Sequence, residues 1–564
     1  MNIELLGLVL MFVVTLLVAI PLGKYIAKMY GHEKTFLDVI FDPIEKLFFR
    51  ISGIDPLKGW NWKQNMMALM AINFVWFLMG MFILMNQNWL PLNPDNNPGM
   101  SADLAFNTTI SFIVNCNLQH YSGESGLSYF GQLYLMFLQF VSAATGMAAL
   151  AHVFVAFKEK TTENLGNFFV FFTKSITRIL LPISVIVGTI LLFNGSPMTF
   201  NGKDSITNLE GKNIEVSTGP VAAFTAIKHL GTNGGGFFET NSAHPFENPN
   251  YITNFTEMVA QMLIPFALVF AFGYFIKRRK LSWTIFAVMS IGFLSLMAMN
   301  VAFENAGNPA LQEMGANISL GNMEGKEIRF GSSASAYWSV ATTVIATGSV
   351  NSMHDSYMPL SGMNMLLAMM INCFYGGVGV GILNYLVFII LAVFISGLMV
   401  GRTPEFLGKT IEAKEMKIAM VIALLHPLLI LAGTALTAYQ PQFGTATLNN
   451  PSFHGFSEML YEFTSASANN GSGFEGLGDN TPWWNISTGI VLILARFLPI
   501  IGPVAIAGLL AQKKYIPESA GTLKTDTPTF GLMTLGVILL IAALAFFPAL
   551  TLGPIAEYLT SITK

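Results

Sequence analysis

Four times along this chain, a run of apolar residues long enough to cross a bilayer is followed by a shorter segment that stops at a polar loop. A second crossing run then leads away. The loop cores read Asn115-Cys116-Asn117-Leu118-Gln119, Thr232-Asn233-Gly234-Gly235-Gly236, Ala346-Thr347-Gly348-Ser349-Val350-Asn351 and Asn469-Asn470-Gly471-Ser472-Gly473. Lipid offers peptide groups no hydrogen-bond partners, so irregular backbone at membrane depth is tolerated only where it lines a cavity or is buried in protein. Four equivalent loops in one chain therefore have to meet each other. The repeat predicts four units of span, pore loop and span, arranged with pseudo-fourfold symmetry about one axis.

The rest of the sequence agrees with a membrane setting. Only 11% of the 564 residues are charged, and mean hydropathy is +0.56; a soluble domain carries about 25% charge. Ten runs allow the roughly 20 apolar residues that a crossing needs: about 1–22, 62–86, 130–157, 172–193, 255–276, 281–303, 364–400, 416–438, 485–511 and 528–550. The fold class expected is an all-α polytopic membrane protein. Its divisions are 1–61 (first crossing and the loop after it), four pore units at 62–157, 172–276, 281–400 and 416–511, and a last crossing within 528–564. The first run lacks a basic leader and a small-residue cleavage site, so it reads as an uncleaved span. Outer loops 195–217 and 304–334, rich in Asn, Gly and Ser, read as excursions into solvent. Net charge of −3 gives no reason to expect a nucleic-acid partner, and two cysteines, Cys116 and Cys373, supply neither a disulfide framework nor a zinc ligand set.

Residue type at the four loops points to a chemistry. The third position of each core reads Asn117, Gly234, Gly348 and Gly471. Glycine adopts positive φ without steric cost, and Asn tolerates it better than most residues. That lets successive carbonyls face one way. The second positions are Cys116, Asn233, Thr347 and Asn470, the first are Asn115, Thr232, Ala346 and Asn469, and Gln119 follows at the mouth of the first loop. Carbonyl oxygens presented by four such loops replace the water around a potassium ion. Potassium bound at these residues is then the expected cargo, with no organic cofactor. One such loop alone reads as a surface turn; four in register do not. Asn117 in place of glycine predicts an asymmetric ring.

Several further residues stand out. The seventh run is too long for one straight crossing and carries Gly376, Gly377, Gly379 and Gly381 near its middle, which predicts a break. Arg496 lies deep in the ninth run. A charge there costs a few kcal/mol on the most lenient scales, so it faces a pore or a partner. Beneath a cation filter it opposes straight-through passage; the alternative is an arginine tying carbonyls or a carboxylate together. Glu458 and Glu462, one helical turn apart in the fourth pore segment, either concentrate cations at the mouth or solvate its rim, and Lys228 in the second calls for a carboxylate. Gly408-Lys409-Thr410 resembles the end of a phosphate-binding loop, but the upstream glycine position holds Thr403. No Asp-Lys-Thr-Gly phosphorylation sequence and no Gly-x-Ser-x-Gly elbow occurs.

Longer strings around these loops resemble a known family. They are Val114-Asn115-Cys116-Asn117-Leu118-Gln119-His120-Tyr121-Ser122-Gly123-Glu124, Gly231-Thr232-Asn233-Gly234-Gly235-Gly236-Phe237-Phe238, Ser467-Ala468-Asn469-Asn470-Gly471-Ser472-Gly473-Phe474 and Gly401-Arg402-Thr403-Pro404-Glu405-Phe406-Leu407-Gly408-Lys409. Essentially the whole chain is similar to the potassium-binding A subunits (KdpA) of the bacterial Kdp potassium-transporting ATPase, within the superfamily of potassium transporters. Cys116 and Leu118 stand where the family has threonine and tryptophan, and Thr347 where cysteine is common; these are side-chain changes beside a backbone path. The resemblance implies a non-catalytic subunit in the bacterial plasma (inner) membrane. Such subunits select potassium from outside and pass it sideways, through an intramembrane tunnel, to the ATPase subunit KdpB, with KdpC and KdpF completing the complex. It also implies that the 376–381 glycines form a gating loop below the filter and that Arg496 is the family's arginine near it. The alternative is a stand-alone Trk/Ktr/HKT-type potassium or sodium permease, which shares the four-unit plan but has eight spans.

Orientation follows from the basic residues. Loops on one side hold 22 of the 29 Lys and Arg, and loops on the other hold Lys203, Lys212, Lys228, Lys326 and Arg329. The rich side is cytoplasmic by the positive-inside rule, which puts both termini and all four pore loops outside. We expect a cysteine at Asn96 to react with an impermeant maleimide in intact cells and one at Lys280 to be protected. Labelling of the Lys280→Cys variant with protection of Asn96→Cys refutes the topology.

Overall fold

The computed structural model describes residues 3–315, 317–517 and 523–562. Ten helices in it are long and apolar enough to cross a membrane. The third, fifth and ninth spans (Tyr129–Lys158, Tyr251–Phe275 and Pro482–Gln512) are mostly buried inside the protein. The second and eighth (Trp62–Asn86 and Ala413–Tyr439) turn much of their apolar surface outward. That division gives one continuous interior wrapped by lipid-facing helices. Between paired spans lie four shorter helices, Ala102–Ile113, Val221–Leu230, Gly331–Ile345 and Ser452–Ala468. These are the four pore helices, and each ends at one of the four loops.

The two spans outside the repeats flank the third unit. The first, Ile3–Tyr30, packs along the fifth span and against the third pore helix, with Gly23 letting its backbone close on Ala267. The tenth, Pro528–Leu550, packs on the sixth and seventh. The seventh crossing is two helices, Pro359–Ile371 and Val380–Val400, broken over the glycine-rich stretch. Asn61 caps the second span reciprocally with Gln64, and Asn250 caps the fifth with Thr253; each cap satisfies amides that the first helical turn leaves without partners.

Some boundaries differ from the sequence reading. The first span continues past 22 to Tyr30, so Lys24 and Lys28 ride on its end; long basic side chains reach the interface from a helix terminus. Loop 23–63 contains the helix Asp38–Ile51, whose Val39, Ile40, Ile44, Leu47 and Ile51 are exposed. Its other face is clamped by Arg178, which bonds Asp38, Asp42 and Glu45. Loop 195–217 includes an antiparallel hairpin, Asp204–Thr207 with Asn213–Val216.

His454, at the start of the fourth pore helix, ties that helix to the third unit and to the helix Ala556–Ile562 that follows the tenth span. Its Nε2 lies 2.8 Å from Asp355 Oδ1 and its Nδ1 2.9 Å from Glu557 Oε1. Burial disfavours the imidazolium, but the two carboxylates prevail and push its pKa up to about 10. A pKa raised on folding stabilises fully below the unfolded value, about 6.5, and that contribution is lost as pH climbs through about 10. We therefore expect the gap in melting temperature between wild type and His454→Gln to be widest near pH 6 and to shrink towards pH 10. A gap that does not change over this range removes the charge from the clamp.

Candidate functional site: a ring of four loops

Each pore helix hands its last carbonyls to the loop that follows. Cys116 N and Asn117 N donate to Ser111 O, Asn233 N and Gly234 N to Lys228 O, Thr347 N to Thr342 O, and Asn470 N to Ser465 O. Such caps need a left-handed residue just past the helix, and Asn115, Thr232, Ala346 and Asn469 all have φ between 49° and 63°. Two residues on, positive φ recurs at Asn117 (56°), Gly234 (87°), Gly348 (87°) and Gly471 (106°). The second set was legible from glycine. The first was not, because Thr232 and Ala346 are residues that rarely adopt this conformation. Strain of about 1–3 kcal/mol at such positions persists only where surrounding packing imposes it.

The packing is cyclic. A methyl group on Gly234 would overlap the carbonyl oxygen of Thr347, one on Gly348 that of Asn470, and one on Gly471 that of Cys116. The second-position carbonyl of each of these loops thus rests against the third-position glycine of the loop before it. The ring runs first, second, third, fourth and back to first. The remaining seam is different. Asn117 keeps its side chain, and a methyl on Gly235 would come within 2.6 Å of Asn117 Cβ, so the extra glycine of the second loop makes room for the asparagine of the first. Both amide atoms of Asn117 are buried without a hydrogen-bond partner among the described residues.

Side chains pin each seam. Between the first and second loops, Asn115 Nδ2 donates to Gly231 O and Thr232 O, and Asn233 Nδ2 donates to Asn115 Oδ1 at 2.8 Å. Gln119 exchanges two bonds with the backbone of Gly236, at 2.7 and 3.0 Å, and so acts as a brace at the mouth. His229 bonds Ser349 between the second and third (2.8 Å). Asn470 Nδ2 donates to Thr342 O between the third and fourth (2.8 Å). His120 bonds Glu462 between the fourth and first (3.1 Å). Burial disfavours a charged His120, but Asp479 and Glu462 outweigh it and push its pKa up to about 9.

The carboxylates picked out beforehand have partners. Glu462 pairs with His120, and Glu458 accepts the backbone amides of Asn449 and Asn450. Neither is a free rim charge. Lys228 finds the carboxylate it calls for, in Glu247, and also bonds Asn241.

Directly beneath the ring lies the break in the seventh span. Asn372, Tyr375, Gly376 and Gly379 have positive φ. Val378 N donates to the hydroxyl of Thr232 at 2.9 Å, which joins this stretch to the second loop. Gly377 faces Thr232 Oγ1 and the Ala346 carbonyl, and Gly381 folds back on Tyr375 and Gly376. Gly379 and Val378 pack on the backbone of Gly146 in the third span. Arg496 is buried beside the same glycine; its Nη2 donates to Ser142 O at 3.1 Å. Its Nε has no partner, and no carboxylate forms an ion pair with it among the described residues. The structure thus brings Gly379 and Arg496 together at Gly146, with Gly376, Gly377 and Gly381 in the same break. Gly146 itself, and the Thr232 hydroxyl as a tether, carried no signal in the sequence.

The profile of the family described as potassium-transporting ATPase A subunit matches residues 9–559. A potassium-transporting ATPase potassium-binding subunit of Flavobacterium johnsoniae is 66% identical over 571 residues, covering 99% of this chain and 100% of that protein. Subunits of the same description from Phocaeicola vulgatus and Geobacillus kaustophilus are 58% and 47% identical, covering 99% and 98% of this chain and 100% and 98% of their own lengths. Among solved structures, the potassium transporter TrkH from Vibrio parahaemolyticus superposes with a TM-score of 0.51 at 14% identity, over 89% of this chain and 98% of that one. At that identity the likeness speaks for the fold.

If the ring holds potassium, its glycines cannot carry a methyl group. Gly234→Ala and Gly348→Ala each have to displace a neighbouring carbonyl and strain a left-handed residue, and we expect potassium affinity to fall about tenfold or more, from a penalty of ~1–3 kcal/mol. Gly234→Asp and Gly348→Asp should be worse, with membrane insertion retained. Gly536→Ala, where nothing lies within 4 Å of the added carbon, is the control. Rubidium uptake measures all five. Wild-type affinity in both alanine variants removes these loops from the ion path.

Proposed function

The chain belongs to the Kdp potassium-transporting ATPase A subunit family, and we propose that it is the potassium-selecting, channel-like subunit of an ATP-driven uptake complex. The observation that carries this reading is the ring of loops at the ends of four pore helices, closed at three seams by a carbonyl resting on a glycine and at the fourth by Asn117 against Gly235. Carbonyl dipoles there take over the role of an ion's hydration shell. The C-terminal ends of the four pore helices add partial negative charge at the same place. In this reading the ion is bound by the backbone of residues 115–117, 232–234, 346–348 and 469–471, with Gln119 bracing the mouth. The loops and both termini face outside, and the chain lies in the bacterial inner membrane.

Below the ring the ion meets a closed floor. The 372–379 stretch is bonded to Thr232, and Arg496 stands beside it with no carboxylate pair among the described residues. Two like charges about 4 Å apart repel by ~4 kcal/mol at an effective dielectric near 20. Each ~1.4 kcal/mol is tenfold in rate, so straight-through leakage is slowed roughly a hundredfold or more. The ion leaves sideways instead, through an intramembrane tunnel to a partner ATPase subunit, KdpB, in a complex completed by KdpC and KdpF. ATP hydrolysis belongs to that partner.

Two measurements test this. Purified alone in liposomes, the chain should pass potassium slowly, and it should co-purify with an ATPase subunit. Rapid downhill flux through the isolated chain favours the stand-alone permease that the TrkH-like fold allows. In the reconstituted complex, Arg496→Gln should uncouple hydrolysis from potassium flux, by leak or by a lost exit. Unchanged flux and unchanged coupling reduce the arginine to a tie on the Ser142 carbonyl.

A further inference from the structure

The charged groups at the outer mouth form an arrangement that ring closure alone does not require. His120 follows the first loop, Glu462 lies on the fourth pore helix, and Asp479 sits on the segment leading into the ninth span. His120 Nε2 is 3.1 Å from Glu462 Oε1 and 3.9 Å from Asp479 Oδ2. The three ligand atoms all lie within 4.8 Å of one another. A tetrahedral zinc ion with bonds of about 2.0–2.2 Å holds its ligand atoms about 3.3–3.6 Å apart. The triad is therefore within a side-chain adjustment of that geometry on every edge.

The imidazole is also oriented for it. His120 Nδ1 donates to Asn485 Oδ1 at 2.7 Å, and Asn485 is itself held by a bond from its Nδ2 to Asp103 Oδ2 at 2.9 Å. Nε2 is left facing the two carboxylates. A histidine fixed through its other nitrogen by an oxygen acceptor is the usual arrangement around protein-bound zinc. His120 and Glu462 are buried while the Asp479 side chain is 30% exposed, so solvent reaches the triad from one side.

A second group, Asp355, His454 and Glu458, also brings ligand atoms together. It lacks this poise. Its carboxylates are spent on other donors: both oxygens of Glu458 accept backbone amides, and Asp355 Oδ2 accepts from Asn450 Nδ2.

We propose that His120, Glu462 and Asp479 form a site for a divalent transition cation of the zinc class, and that its occupation inhibits potassium admission at the ring. Three protein ligands leave one coordination position open to solvent. The proton that His120 carries between the carboxylates goes to solvent as its Nε2 lone pair takes the metal. The bound dication then stands one residue from Gln119 and repels monovalent cations approaching the mouth. The inhibitory effect rests on the potassium function proposed above; the metal site does not.

The experiment uses the complete purified complex. Zinc chloride is titrated calorimetrically after chelator treatment, and potassium-stimulated ATP hydrolysis is followed over the same zinc range. We expect one zinc per chain at this site, inhibition that saturates with it, and recovery on adding chelator. Asp479→Asn, at the exposed edge, should weaken zinc binding and inhibition together by about tenfold or more, as should Asn485→Ala by releasing the imidazole. Asp479→Asn is compared at matched melting temperature. Absence of zinc binding, or equal affinity in wild type, Asp479→Asn and His120→Gln, overturns the site. Variant-dependent zinc binding with potassium-stimulated hydrolysis untouched overturns the inhibition.

Discussion

Around the ring, the carbonyl of one loop lies against the glycine of another, and this contact sets the terms for the rest of the molecule. It fixes the spacing of four loops that are far apart in sequence, because a carbonyl oxygen and a glycine Cα approach more closely than any pair involving a Cβ. It also explains why the first-position residues accept left-handed backbone. Thr232 and Ala346 do not choose φ near 50° by themselves; the helix cap behind them and the neighbouring loop beside them leave no alternative. The one exception is compensated locally. Where Asn117 keeps a side chain, Gly235 gives one up.

Such a ring holds its shape only if its surroundings do not yield. The pore helices are unusually polar for buried elements, and their side chains are spent on seams. Two buried ion pairs stand behind the second and third loops, Lys228 with Glu247 and Lys326 with Glu304 (2.8 Å). Removing one partner of such a pair costs about 3–5 kcal/mol, whereas the intact pair contributes little net stability. Their value here is positional. Glu247 also accepts the amide of Phe238, and Glu304 accepts Asn322 and the amide of Met358, so each pair anchors a neighbouring segment.

Beneath the ring, glycine performs a different task. At Gly376 and Gly379 the chain reverses in left-handed conformations, and at Gly146 the third span comes close enough for the Val378 carbonyl to rest on its backbone. The break, the third span and Arg496 thus share one contact region. A charged side chain with one carbonyl bond and no carboxylate pair among the described residues is electrostatically expensive in such a place. The arrangement makes sense if positive potential under the ring is what the site requires.

Much of this was legible before any coordinates. Ten apolar runs bound the fold to a polytopic helical protein, because a bilayer admits few alternatives. Four polar loops at matching places demanded that they meet. Gly234, Gly348 and Gly471 announced positive φ, and the Gly376–Gly381 stretch announced a break. These are local properties, written in residue type and period. Other features depend on who the neighbours are. The left-handed state of Thr232 and Ala346, the brace from Gln119 to Gly236 and the closeness of Gly146 to Val378 carry no local signature. Nor does the pairing of His120 with Glu462, 342 residues away. The sequence by itself determined that four loops would be buried together and which of their residues could bend. Only the tertiary structure decided which carbonyl rests on which glycine, because that contact exists between segments whose order around the axis is set by packing.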